Sequence, residues 1–308
     1  MVKIYSSALE KHFEINRQVA HINGDASGPT FIIVSGIHGN EPSGIFAVKN
    51  MVSKIEPKEI SGNIFALAGN LNALSLNERY ATDDLNRLWH HENLKLKITK
   101  NTSQDIIEQR ELYNIIQKII SKNRGPFFII DLHTTSSKTI PFFTINNHQS
   151  TIDFCADFPM PKVTGIDDFV KGAFFTYMNK QGHVALGFEA GSHDDFDAIY
   201  HHEMFIYMAL EKAGLISKKC RSGLLEATEN TDLHDSSFYE IIERFHIEDG
   251  LPFQMKKGYK NFQQINKDEL LAHYKGKEIR SSFDGNIFLP LYQKKGNDGF
   301  FIVVNQKT

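Results

Sequence analysis

The sequence predicts an α/β protein, in which a mixed, mostly parallel sheet is flanked by helices and followed by a small all-β C-terminal domain. The first observation is a set of short, continuous apolar runs at residues 31–37, 63–68, 127–132 and 184–188. Runs of this kind are typical of strands that are buried on both faces. The second observation is that helical patterns alternate with these runs, which is the arrangement of an α/β domain.

Three segments carry the predicted helices. The first begins at Pro42, a residue that suits the first turn of a helix, and its apolar residues recur at helical spacing. The second spans residues 106–120 and is rich in isoleucine on one face. The third spans residues 196–213, with Gly214 as its stop signal.

The pattern changes after residue 216. Short β-like pieces follow, separated by glycines, at residues 252–255, 261–265, 278–281, 286–291 and 300–304. We therefore predict a catalytic α/β domain over residues 1–216 and a small β-rich domain over residues 217–308.

Composition excludes several classes of protein. The 308-residue chain has a formal net charge of -3 and no basic block, which argues against nucleic acid as a partner. Its apolar runs are far shorter than the ~18 residues that a membrane span needs, and its N-terminus lacks a signal-peptide pattern. Cys155 and Cys220 are not at the spacing of a metal-binding motif. We therefore predict that both are reduced thiols and that the protein is cytoplasmic. We expect a small anionic molecule as substrate; a homo-oligomer stays open.

Three of the predicted strands run into residues that bind metals in other proteins. His38 and Glu41 follow the first run, His133 follows the third, and Glu189 follows the fourth. Functional side chains gather where the strands of α/β sheets end. Two histidines and one carboxylate are a ligand set of catalytic zinc, and a further carboxylate is then available as a general base.

A polar segment supplies positive charge that the chain as a whole lacks. Residues 79–87 contain Arg79, Asn86 and Arg87 after the second apolar run. Arginine beside asparagine suits the capture of a carboxylate through two hydrogen bonds. A solvated salt-bridge loop is the alternative interpretation, since most charge runs are of that kind.

Taken together, these segments resemble the succinylglutamate desuccinylase/aspartoacylase family of the zinc carboxypeptidase-like clan. Four blocks carry the resemblance over about residues 30 to 190: Gly36-Ile37-His38-Gly39-Asn40-Glu41, Arg79 with Asp84-Leu85-Asn86-Arg87, Asp131-Leu132-His133-Thr134-Thr135, and Gly187-Phe188-Glu189. The resemblance implies one zinc ion per chain, with His38, Glu41 and His133 as its ligands. It implies that Glu189 is the general base, and that Arg79 polarises the scissile carbonyl and stabilises the oxyanion.

The resemblance also implies the substrate contacts. Asn86, Arg87 and Thr135 would bind the substrate, the first two through its carboxylate, and Tyr292 would correspond to the family's tyrosine from the C-terminal domain. We further expect Asp131 to orient a zinc-bound histidine from behind, because it is two residues from His133.

One position departs from the family pattern. Aspartoacylases carry an arginine ahead of the base, where this chain has Asn179, flanked by Lys171 and Lys180. The difference argues against N-acetylaspartate as the substrate. The predicted activity is hydrolysis of the amide bond of a small N-acylated amino acid. The alternatives are a zinc carboxypeptidase acting on peptides and a catalytically silent metal-binding homologue.

Overall fold

The computed structural model of the chain describes residues 1–225, 235–248 and 250–306. Its α-helices are α1 (Ser43–Lys54), α2 (Leu71–Leu76), α3 (His91–Lys95), α4 (Gln104–Lys122), α5 (Gln149–Cys155), α6 (Ile166–Phe169), α7 (Phe174–Lys180), α8 (Asp197–Lys212) and α9 (Lys218–Leu225). Short 3₁₀ helices cover Pro57–Glu59 and Leu85–Arg87.

The strands are β1 (Val2–Ser6), β2 (Lys11–Ile15), β3 (Gln18–Asn23), β4 (Asp25–Ser35), β5 (Ser61–Ala68), β6 (Phe127–Thr135), β7 (Phe142–Thr144), β8 (Lys162–Thr164), β9 (Val184–Ser192), β10 (Phe238–His246), β11 (Phe253–Met255), β12 (Gln264–Ile265), β13 (Leu270–Tyr274), β14 (Lys277–Arg280), β15 (Gly285–Phe288) and β16 (Asp298–Gln306).

One large mixed sheet organises the described residues. Its strand order is β12-β15-β16-β10-β8-β7-β9-β6-β4-β5-β3. Four adjacent strands, β9, β6, β4 and β5, are mutually parallel. A two-stranded sheet, β1-β2, and a three-stranded sheet, β11-β13-β14, lie apart from it.

Successive residues of the four parallel strands face opposite sides of the sheet, and a separate hydrophobic core lies on each side. In β4, Phe31 and Ile33 pack with residues of α1 and α8 on one face. Ile32 and Val34 pack on the other face with residues of α4 and α7. Burial on both faces is the reason why these strands read as continuous apolar runs rather than as alternating ones.

The predicted fold class is confirmed. The four predicted strands are β4, β5, β6 and β9, and the three predicted helices are α1, α4 and α8. The observed strands β6 and β9 run three and four residues beyond their predicted ends, to Thr135 and Ser192. His133 and Glu189 therefore lie within their strands and not after them.

The C-terminal segment is largely β structure but continues the central sheet. β10 pairs in parallel with β8, and β16 pairs antiparallel with β10. The helix α9 lies inside the segment predicted to be all β, which is a difference from the prediction. Residues 226–234, 249 and 307–308 of that segment lie outside the described residues, and the division at residue 216 stays a prediction.

Within the described part of the chain, no helix combines the length and the apolar character that crossing a membrane requires.

Candidate metal centre and substrate cavity

The loop after β4 holds His38 and Glu41 in a tight turn. Gly36 adopts a φ of 74°, in the left-handed region that favours glycine. At Gly39, a Cβ atom would lie 2.0 Å from the backbone carbonyl carbon of Ala73, so a larger residue cannot occupy this position without moving the chain. The two glycines thus let the chain fold back on itself at the sheet edge, with both side chains buried.

The neighbouring strands bring the other two groups to the same edge. β6 and β9 are parallel, and their register places His133 opposite Glu189. Side chains at paired positions of adjacent strands lie on the same face of the sheet. The sheet alone therefore fixes these two groups beside each other.

His38, Glu41 and His133 form a buried cluster suited to a metal ion. One ligand atom from each lies within 4.8 Å of the others. Glu41 sits between the imidazoles, with Oε1 2.9 Å from His38 Nδ1 and Oε2 2.9 Å from His133 Nδ1. The structure thus brings together the three residues that the sequence analysis selected as ligands.

The far nitrogen of each imidazole faces an aspartate. Asp131 Oδ2 lies 2.8 Å from His133 Nε2, and Asp84 Oδ1 lies 3.2 Å from His38 Nε2. Carboxylates in this position fix the orientation of metal-binding histidines and raise their basicity. The donor set and its backing carboxylates therefore fit a divalent metal such as zinc. This role was predicted for Asp131 from the sequence, but not for Asp84.

The charges of the cluster favour a cation between the imidazoles. Burial opposes ionisation of Glu41, but the charges and hydrogen bonds of His38 and His133 hold its pKa well below the usual range. Burial disfavours a charged His133, yet Asp131 and Glu41 raise its pKa well above that of an ordinary histidine. A metal and a proton compete for such a nitrogen.

Glu189 is a different kind of carboxylate from Glu41. Burial raises the pKa of Glu189 to about 8, and the nearby Glu41 and Asp131 act in the same direction. Its Oε2 atom is buried and has no hydrogen-bond partner among the described residues. A carboxyl group with a proton affinity near neutral pH is suited to general acid–base chemistry.

Arg79 is held over the cluster by its own carboxylate partner. Asp84 Oδ2 accepts hydrogen bonds from Arg79 Nε at 3.1 Å and Nη2 at 3.0 Å. Arg79 Nη1 lies 3.7 Å from Glu41 Oε1. Burial opposes ionisation of Asp84, but Arg79 and Arg87 keep its pKa well below the usual range. Asp84 thus links the arginine to the imidazole of His38.

Asp105, which the sequence analysis missed, anchors the loop between Arg79 and Asp84. This fully buried residue of α4 accepts hydrogen bonds from the backbone N–H groups of Thr82 at 2.7 Å and Asp83 at 2.9 Å. It also accepts one from Asn70 Nδ2 at 2.7 Å. The loop that presents the arginine is therefore bonded to the body of the sheet domain.

Asn86 lies beside His133, and Arg87 is the next residue in the chain. Asn86 Nδ2 is 3.4 Å from His133 Nε2. Arg87 Nη2 donates to Asp298 Oδ2 at 2.6 Å, and Arg244 Nε donates to Asp298 Oδ1 at the same distance. One carboxylate thus binds two arginines, so these three side chains together carry a net positive charge.

A single cavity connects these groups. Its lining includes His38, Glu41, Arg79, Asn86, Arg87, His133, Thr135, Glu189, Gln293 and Asp298, together with an apolar wall. The side chains of His38, Glu41 and His133, the carboxyl group of Glu189 and two arginines thus surround one space. Such an arrangement suits hydrolysis of a small carboxylate-bearing amide.

Comparison with known proteins identifies the family. The family model described as "Succinylglutamate desuccinylase/Aspartoacylase catalytic domain" matches residues 27–204, more than half of the chain. The chain belongs to the succinylglutamate desuccinylase/aspartoacylase family.

Individual members of the family are similar over most of the chain. An N-acyl-aromatic-L-amino acid amidohydrolase (carboxylate-forming) from Xenopus laevis is 28% identical over 80% of this chain and 86% of its own. A succinylglutamate desuccinylase from Pseudoalteromonas atlantica is 25% identical over 84% of this chain and 76% of its own. A solved succinylglutamate desuccinylase/aspartoacylase from Rhodobacter sphaeroides has the same fold, with a TM-score of 0.68 at 16% identity, covering 99% of this chain and 94% of that one.

Two positions that the family resemblance suggested differ in their placement. Thr135 lines the cavity, and its hydroxyl donates to the Ser137 carbonyl at 2.6 Å. Tyr292 does not line the cavity, although its neighbours Leu291 and Gln293 do. The Tyr292 hydroxyl instead donates to the Lys256 carbonyl at 2.9 Å, on the exposed side of the C-terminal segment.

Asn179 does not line the cavity either. It is buried on α7, where its Nδ2 donates to Thr151 Oγ1 and to the His183 carbonyl, each at 3.0 Å. Lys171 and Lys180 are exposed and do not line the cavity either.

Two other histidines near the site, His193 and His202, are not part of the His38–Glu41–His133 cluster. His193 is partly buried, with Nδ1 2.8 Å from Thr134 Oγ1 and Nε2 3.2 Å from Gln293 Oε1. His202 is fully buried against the ring of Phe188.

Proposed function

We propose that this chain hydrolyses the amide bond of a small N-acylated amino acid, with zinc held by His38, Glu41 and His133. The observation that carries the proposal is the convergence of this cluster with Glu189 and Arg79 on one cavity. The names of the relatives, an amidohydrolase and a desuccinylase, support amide hydrolysis as the reaction.

In this proposal, Glu189 transfers the proton and Arg79 stabilises the oxyanion. When bound, zinc supplies a Lewis acid that polarises a carbonyl oxygen and acidifies water. Glu189 Oε2, which no described group engages, accepts a proton from the attacking water and passes it to the departing amine nitrogen. Asp84 engages Nε and Nη2 of Arg79, so Nη1 is the nitrogen placed to donate to the developing oxyanion.

The substrate's carboxylate binds at Arg87 and Asn86 in this proposal. Both residues line the cavity, as Thr135 does. Asp298 holds Arg87 in place but is itself shared with Arg244, so it neutralises only part of the local positive charge.

The direct test is a panel of N-acetyl and N-succinyl amino acids, with dipeptides for comparison, assayed on zinc-loaded protein. We expect release of free amino acid that stops when a chelator removes the metal and returns with added zinc. Preferred cleavage of the dipeptides would replace the proposal with a carboxypeptidase activity. Bound metal without hydrolysis of any compound would indicate a catalytically silent homologue.

Arg87→Ala tests the carboxylate site. We expect KM for N-acyl amino acids to rise about 10- to 100-fold with a smaller change in kcat, because a hydrogen bond to a charged group contributes ~1.5–3 kcal/mol. Asp298 stays paired with Arg244 in this variant, so no buried charge is left alone. Steady-state kinetics measure both constants.

The matched control is Arg244→Ala, which removes the other arginine of Asp298 from outside the cavity. We expect KM to change much less in this variant. Equal effects of the two substitutions would place the substrate's carboxylate elsewhere.

A further inference from the structure

The cavity has a second part that the proposed hydrolysis does not require. Beyond the polar cluster, its wall is formed by Ile166, Val170, Ala173 and Phe175 from the segment around α6 and α7. Leu289 and Phe301 face the same space from the C-terminal strands. Each side chain of the α6–α7 group is less than 9% exposed. A buried apolar wall of this extent favours an apolar ligand group.

The charged side chains that line the cavity also favour a ligand group without charge at the apolar wall. Among the described residues, the lysine and arginine side chains that line it are Arg79 and Arg87, and each is already paired with an aspartate. Glu41, Glu189 and Asp298 line it as well. One substrate carboxylate can be bound at Arg87, but a second would lie near Glu189 and Asp298, with no unpaired lysine or arginine among the described residues of the lining. Burial of an unpaired charge is strongly unfavourable.

The apolar wall is attached directly to the carboxylate end of the cavity. The backbone N–H of Phe174 donates to Asn86 Oδ1 at 2.8 Å, and the backbone N–H of Trp89 donates to the Gly172 carbonyl at 3.2 Å. A Cβ at Gly172 would lie 2.2 Å from the Arg87 carbonyl oxygen, so the two segments are in close contact. In an amino acid, the carboxylate and the side chain are substituents of the same carbon atom. A wall beside the carboxylate anchor therefore faces the amino acid side chain rather than the acyl group.

From these observations, and resting on the proposed function, we infer that the substrate is an N-acyl derivative of an amino acid with an uncharged, apolar side chain. The wall formed by Ile166, Val170, Ala173 and Phe175 receives that side chain, and Val170 is a residue that sets the specificity.

The test compares N-acetyl-L-leucine, N-acetyl-L-asparagine and N-acetyl-L-aspartate, whose side chains are similar in size but apolar, polar and charged. We expect kcat/KM to fall in that order, with at least about 100-fold between leucine and aspartate, the consequence of leaving a buried charge unpaired. Equal or better hydrolysis of N-acetyl-L-aspartate would overturn the inference and leave the amide hydrolase proposal standing. If no N-acyl amino acid is cleaved, the proposed function fails, and the inference fails with it.

A second arm assigns the wall to the side chain or to the acyl group. N-hexanoyl-L-aspartate carries its apolar part on the acyl side. We expect it to be a poor substrate. If it is cleaved well while N-acetyl-L-leucine is not, the wall receives the acyl group and the inference is wrong.

Val170→Arg places a cation in the wall, and Val170→Met is the matched control of comparable length without charge. We expect Val170→Arg to lower kcat/KM for N-acetyl-L-leucine and to raise it for N-acetyl-L-aspartate, while Val170→Met retains the preference for leucine. Thermal unfolding of both variants shows whether they fold. An unchanged ratio of the two substrates in folded Val170→Arg would exclude Val170 from the specificity site.

Discussion

Glu189→Gln is expected to lose about 10²–10⁴-fold in kcat, the range that a positioned general acid–base contributes. Glutamine keeps the shape of the side chain but cannot take up a proton from water at neutral pH. Because Glu189 is separate from the three proposed zinc ligands, the variant is expected to bind zinc as the parent protein does. Single-turnover or steady-state kinetics and metal analysis of the same preparation measure the two properties.

The control for this substitution is Glu203→Gln. Glu203 is a buried carboxylate of α8 that accepts a hydrogen bond from Tyr207 and pairs with Lys54, away from the cavity. Its replacement reports what neutralising a buried glutamate does to folding in general. Glu189→Gln with kcat close to that of the parent protein would remove Glu189 from the proton-transfer role, whatever the control shows.

The strands that could be predicted from the sequence are those that are buried on both faces of the sheet. β4 and β6 are covered on both faces, so their sequences are continuous apolar runs. β10 was not predicted, because Glu240 and Glu243 interrupt its apolar residues, and its place depends on pairing with β8 and β16. Strand pairing over such distances leaves little trace in the strand's own sequence.

The same distinction applies to the candidate site. His38, His133 and Glu189 could be selected because each stands at the end of an apolar run, where parallel strands present functional groups. The residues that hold these side chains in place could not be selected from the sequence. Asp298 is 211 residues from Arg87 in the sequence, and Asp105 reads as an ordinary residue in the first turn of a helix. Only the folded chain shows that Asp105 is buried and that Asp298 lies in the cavity lining beside Arg87.

His133→Ala is expected to weaken zinc binding more than the 10- to 100-fold that loss of a supporting outer carboxylate causes. The substitution removes one of three protein ligands and leaves only the backbone N–H of Thr134, among the described residues, as a partner of Glu41 Oε2. Asp131→Asn is the graded companion, because it keeps the ligand and removes only the carboxylate behind it. We expect the affinities to rank parent, Asp131→Asn, His133→Ala, as measured by competition with a chelator of known zinc affinity.

The dependence of zinc affinity on pH separates loss of a ligand from general disruption of the site. Asp131 and Glu41 raise the pKa of His133, so a proton competes with the metal for this imidazole at higher pH than at an ordinary histidine. Zinc binding by the parent protein should therefore weaken as the pH falls, and His133→Ala should show a shallower slope because that competition is gone. His201→Ala, which removes a histidine hydrogen-bonded to the Ala190 carbonyl, should keep the parent's affinity and slope. His133→Ala removes both the proposed ligand nitrogen and the proton that competes for it. If this variant still bound one full equivalent of zinc with the parent's pH slope, zinc would bind elsewhere and His133 would not be a ligand.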